Sequence, residues 1–174
     1  GADANSLTDA QSRTPLYIAC FKGHVDAARL LLGKGAEVDR ADKDGQTPLY
    51  AACEEGHVEA ARLLLDKGAD VNRANEKGAT PLFIACWKGH VDAARLLLDR
   101  GADVHTADSN NCTLLLVACA DGHIEIVKLL LDSGAASDLD REDDDGDTPM
   151  SCANEEGHTA VVDLLEKYAS ESDS

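Results

Sequence analysis

Cysteine and histidine recur together as Cys20-x-x-x-His24, Cys53-x-x-x-His57, Cys86-x-x-x-His90 and Cys119-x-x-x-His123. Taken singly, such a pair has the donor types of a zinc site, or of a thiol nucleophile with its base. Either chemistry needs one special environment with convergent partners, whereas these pairs repeat in register. They therefore read as framework, and no catalytic residue, metal ligand or cofactor is expected. The acidic run from Asp138 to Asp147 has the composition of a calcium loop. Its register fails: counting back from Gly146 puts Arg141 at the first ligand position, and Cys152 falls where the bidentate Glu belongs.

The elements that must position these side chains follow from a fixed step. Thr14-Pro15-Leu16 returns as Thr47-Pro48-Leu49 and Thr80-Pro81-Leu82, 33 residues apart, then in altered form from Thr113 and again as Thr148-Pro149-Met150. A Gly-His pair follows nine residues after each threonine, from Gly23-His24 to Gly157-His158. Self-similarity at this period means supersecondary units stacked in an array.

In the third copy, Thr80 is placed to accept from the free N–H groups of a helix start, and Pro81 sits where a missing N–H costs nothing. The spacing predicts a short helix to about Trp87, a break at Gly89, and a second helix opened by His90 and closed at Gly101. Asp92 falls in the first turn of that second helix, where the dipole favours an anion. Leu82, Ala85, Cys86, Val91, Ala94, Leu97 and Leu98 make an apolar surface too large for one hairpin to cover. It must be sandwiched between neighbours, and five copies would form a slab roughly 50 Å long.

Between helix pairs, segments such as Gly68 to Gly78 read as projecting fingers. Gly45, Gly78 and Gly146 supply the positive φ of a tight turn, with Asn111 the best non-glycine stand-in. Ser12 is a poorer one, so the first finger is expected to be built differently.

Composition narrows the class. The 174 residues are 44% hydrophobic but only 3% aromatic, which fits a core of small and aliphatic side chains between closely spaced helices. No apolar run approaches the ~18 residues of a membrane span, and the amino end has no signal-peptide pattern. Net charge is −17, and from Asp132 onward fourteen acids face only Arg141 and Lys167, a local net of −12. Such a chain repels nucleic acid and anionic lipid. Cys20, Cys53, Cys86 and Cys119 hold one repeat position, so they stand roughly 10 Å apart, beyond bridging distance. They read as buried fillers, Cys112 as the exposed thiol, and the compartment as reducing, intracellular and cytoplasmic.

The Thr-Pro-Leu signature at this period resembles the ankyrin repeat family over residues 9–168. The resemblance implies an all-α repeat solenoid of stacked antiparallel helix pairs with projecting β-hairpin or turn fingers. Carried onto this chain, it gives one domain over 1–168. Residues 1–8 would be a finger left from a preceding repeat, and repeats one to three would span 9–41, 42–74 and 75–107. Repeat four, with the acidic insertion, would span 108–142, a capping fifth repeat 143–168, and a disordered tail 169–174.

Family members bind proteins on the concave face, so the resemblance implies a monomeric, non-catalytic scaffold for a protein partner. The corresponding finger positions here are Arg13, Lys43, Asp44, Gln46, Glu76, Lys77 and Asn110. Those on the inner helices are Phe21, Lys22, Glu54, Glu55, Trp87, Lys88 and Asp121, with Tyr17, Tyr50 and Phe83 alongside. These positions vary while the framework hardly does, as a recognition surface would, and Trp87 is the expected anchor. The rival reading is a regulatory or structural segment of a larger repeat protein, contacting its own neighbouring domain.

The chain departs from the family where histidine often follows Thr-Pro-Leu: Tyr17, Tyr50, Phe83, Leu116 and Ser151 stand there instead. Repeat four lacks the finger glycine and the proline (Asn111, Leu114), and the step lengthens to 35 before Thr148. This joint is expected to be the softest. Leu64, Asp70, Val71 and Asn72 also resemble the pattern that an asparaginyl hydroxylase modifies in ankyrin proteins.

Overall fold

A computed structural model describes residues 4–172 of the chain. Gly1–Asp3, part of the finger expected over 1–8, and Asp173–Ser174 of the expected tail lie outside the described residues.

Among the described residues, ten α-helices form five hairpins: α1 (Pro15–Phe21) with α2 (Val25–Gly33), α3 (Pro48–Glu54) with α4 (Val58–Asp66), α5 (Pro81–Trp87) with α6 (Val91–Asp99), α7 (Leu114–Ala120) with α8 (Ile124–Asp132), and α9 (Pro149–Glu155) with α10 (Thr159–Ser172). Each first helix begins on a threonine whose hydroxyl accepts from a backbone N–H three residues on, at 3.1 Å in every repeat. Because Thr113 keeps this cap, α7 starts in register although Leu114 replaces the proline. The five first helices pack in chain order as one row and the five second helices as another. Leu16, Leu49, Leu82 and Leu115 of the first row, with Leu64, Leu97, Leu130 and Leu165 of the second, are fully buried between them.

Identical sequence meets different surroundings in the stack. Val25–Leu32 and Val91–Leu98 read the same eight residues, yet Leu96 is 5% exposed and Leu30 64%. Helix α4 covers the face of α6 that carries Leu96, and among the described residues no helix covers the matching face of α2.

The fingers are tight turns. Among the described residues no strand forms, and a lone bridge joins Ala107 to Thr113. In all five, an Asp or Asn side chain bonds two backbone N–H groups of its own turn: Asp9, Asp42, Asn75, Asp108 and Asp143. Ser12 takes φ +62° and Asn111 +60°, matching Gly45 at +79°. The turn of the first finger thus matches the others, because Asp9 closes it from the side chain and lets serine hold the left-handed position. Its base is built differently: Thr8 N, not Asp9 N, donates to Arg13 O, where the other four fingers close from Asp42, Asn75, Asp108 and Asp143 N to the carbonyl four residues on. Consecutive fingers are joined by one backbone bond each, from Lys43 N to Gln11 O, Glu76 N to Asp44 O, Ser109 N to Lys77 O and Asp144 N to Asn110 O, at 2.8–3.0 Å.

The two extra residues of repeat four are taken up in a 3-10 turn, Ala135–Asp138, which buries Ala135. Asp138, 5% exposed, accepts from His105 Nδ1 at 3.1 Å. The last helix continues to Ser172, through most of the expected tail, and Tyr168 Oη donates to Asp132 Oδ1 at 2.6 Å near that end. Its exposed face carries Thr159, Glu166 and Lys167.

Candidate partner-binding groove

The recurrent cysteines and histidines do not converge. Cys20, Cys53, Cys86 and Cys119 are buried, and burial pushes their thiols up, to about 12 for Cys20 and Cys119. The histidines reach backward into the preceding repeat instead. His90, His123 and His158 donate from Nε2 to the carbonyls of Glu54, Trp87 and Ala120, each at 3.0 Å. These acceptors end the preceding first helix, where carbonyls lack helical partners. Among the described residues no three His, Cys, Asp or Glu side chains gather as a metal site. Cys112 is half-buried rather than open: its thiol donates to Asp143 Oδ2 at 3.4 Å, and desolvation, with Asp108 and Asp143 beside it, raises it to about 12.

Concavity appears where the first helices meet the fingers. A groove of about 510 Å³ runs over α3 and α5, lined by Asp44, Gln46, Tyr50, Glu54, Asn75, Glu76, Lys77, Ala79, Phe83, Ile84, Trp87, Asp108 and Asn110. Nine of the seventeen residues picked from the sequence are among them. The other four are Asn75, Ala79, Ile84 and Asp108: Asn75, Ala79 and Asp108 belong to the fingers, and Ile84 faces the groove from one turn before Trp87.

Trp87 ends α5 with 49% of its surface exposed, the only exposed aromatic among the described residues. The Lys88 ammonium lies over its ring, 5.1 Å from the centroid. Tyr50 and Phe83, expected as contact residues, are 4% and 5% exposed, yet both line the groove floor. They are covered because the position after Thr-Pro-Leu packs between neighbouring first helices and finger bases. Burial, then Glu54 and Asp42, push the Tyr50 hydroxyl up to about 12.

Glu54 is half-buried at the groove wall. Burial raises its carboxyl above the ordinary 4.5, Glu55 and Asp42 add to this, and Lys88 opposes it.

The remaining expected contact residues lie elsewhere. Tyr17 is buried; its ring stacks on Phe21 at 6.5 Å, and its hydroxyl donates to Gln46 Oε1 at 2.9 Å. Arg13 stands 5.9 Å over the Tyr17 ring and pairs with Asp9 at 2.6 Å. Lys22, Glu55, Lys88 and Asp121 are the C-caps of α1, α3, α5 and α7, exposed beyond the groove, as Lys43 is on its finger.

No helix among the described residues is long and apolar enough to cross a membrane. No curated protein matches the chain. A family model described as ankyrin repeats (3 copies) matches residues 1–75, 36–108 and 103–173. Repeats of this kind are in general modules of protein–protein interaction and typically non-catalytic. The three matches overlap and leave only Ser174 outside them, so the chain belongs to the ankyrin repeat family.

Proposed function

We propose that the protein is a non-catalytic, monomeric scaffold that binds a partner protein in the groove over α3 and α5. The observation that carries this reading is Trp87, a half-exposed tryptophan at the edge of a preformed concavity in a chain otherwise poor in exposed aromatics. Tryptophan in such a setting dominates interface energetics when a partner covers it. The finger-to-finger backbone bonds support the reading, since they hold the rim in place before any partner arrives. Six unpaired cysteines fit a reducing compartment such as the cytoplasm.

Affinity capture from lysate tests this, comparing the intact chain with Trp87→Ala and with Glu59→Ala on the outer row. A protein captured by the intact chain and the Glu59 variant, and lost with Trp87→Ala, is the expected result. Retention by Trp87→Ala would remove the groove from consideration. A second reading, a segment that contacts a neighbouring part of a larger repeat protein, is favoured by the open apolar face at Leu30.

A further inference from the structure

The lining of the groove has a charge that its apolar floor does not explain. Asp44, Glu54, Glu76 and Asp108 line it against Lys77, with the Lys88 ammonium at the edge over the Trp87 ring. Asp108 is held in place by the backbone N–H groups of Asn110 and Cys112, so its charge cannot swing away. The floor between these carboxylates is Tyr50, Phe83 and Ile84, with Trp87 at the edge.

We propose that the groove receives an arginine from the partner protein, its guanidinium against Glu54 and its stem across Phe83 and Trp87. This rests on the reading of the groove as the binding face and names what fills it. A partner carboxylate there would meet four like charges at close range, which costs affinity and rejects wrong partners. A purely apolar side chain would desolvate Glu54 further and bring it no counter-charge beyond Lys88. A cation on an aliphatic stem answers both the rim and the floor, since such side chains cover apolar surface while the head stays with its counter-charge. The Lys88 ammonium lies 5.1 Å from the Trp87 centroid, so the ring already holds one cation and can exchange it for the partner's. Arginine fits better than lysine because a planar guanidinium stacks on an aromatic face and still presents donors in its plane to a carboxylate. Glu54 is half-buried and crowded by Glu55 and Asp42, with Lys88 opposing, so a second cation beside it relieves a charge held at a cost.

The test uses the full chain, 15N-labelled, titrated with two acetylated and amidated tripeptides, Leu-Arg-Leu and Leu-Glu-Leu. The arginine peptide is expected to shift the Trp87 indole N–H and the amides of residues 50–54 and 76–87 in a saturable way, and the glutamate peptide to leave them unmoved. Glu54→Gln is expected to weaken the arginine peptide about tenfold, and Trp87→Ala to weaken it at least as much. Three results would overturn the proposal: no saturable shift, shifts centred on Asp143–Asp147 and Glu155–Glu156, or equal binding by Glu54→Gln. If lysate capture still depends on Trp87 in any of those cases, the groove stands as the binding face and only its arginine occupant falls.

Discussion

The imidazole of His90 lies so close to Gly56 that a β-carbon placed on that glycine would stand 2.7 Å from Nδ1. Gly23 meets His57, Gly89 meets His123 and Gly122 meets His158 at 2.6–2.8 Å in the same way. Glycine and histidine are adjacent in each repeat, but their partners are those of the next and the preceding repeat. The pair that looked like half of a metal site in one copy is thus a contact between copies: the ring packs on a bare glycine and bonds the carbonyl beyond it.

Gly56→Ala is therefore expected to destabilise far more than Gly68→Ala. Both glycines have positive φ, +68° and +85°, so alanine at either one carries a left-handed penalty of about 1–2 kcal/mol. At Gly68 nothing lies within 4 Å of the new methyl, whereas at Gly56 it strikes the His90 ring. Urea unfolding should show the Gly56 variant losing about 3 kcal/mol or more. Equal midpoints for the two variants would mean the ring moves aside freely.

The repeated octapeptide gives a second comparison with sequence held constant. Leu96→Ala removes a side chain packed against the preceding repeat and should cost about 2–5 kcal/mol. Leu30→Ala removes one that is 64% exposed and should stay within about 0.5 kcal/mol. Thermal melts of both variants check this, and a large loss from Leu30→Ala would show that the face of α2 is covered in solution.

Thiol chemistry should separate folded from unfolded chain sharply. Iodoacetamide reacts with thiolate, and burial holds Cys20, Cys53, Cys86 and Cys119 well above their ordinary value of 9.0. Intact-mass measurement of native protein at about pH 8 should find slow modification, confined to Cys112 and Cys152, and six adducts once the chain is denatured. Rapid native alkylation at Cys86 would show that the stack opens between α3 and α5.

Most of the framework was legible because its causes are local. Threonine caps, the proline at the first turn and terminal glycines act within a few residues, and their spacing placed every hairpin. What escaped depends on neighbours a full repeat away. Tyr50 and Phe83 look like open contact residues, and neighbours a repeat away leave them 4% and 5% exposed on the groove floor; Cys112 looks open until Asp143 of the next finger bonds it. The Asp and Asn residues that close the fingers, Asp9, Asp42, Asn75, Asp108 and Asp143, each stand five residues before the threonine of their repeat, Thr148 included. That signal was present at Asn75 and Asp108, and it would have added both to the groove.

Glu54 ties the groove to stability through pH. Its folded-state carboxyl sits above its unfolded value, ordinarily 4.5, because burial, then Glu55 and Asp42, penalise the charged form. Between those two values the folded chain holds a proton that the unfolded chain has released, so stability falls as pH rises through that window. Above the window the penalty persists in full, and below pH 4.5 it disappears as both states become protonated. Glu54→Gln deletes the titration, so the variant should melt higher than the parent at about pH 7, with the difference shrinking as pH drops through the window. A gap between the two melting temperatures that stays constant over the whole range would assign the effect to packing and free Glu54 of any strained charge.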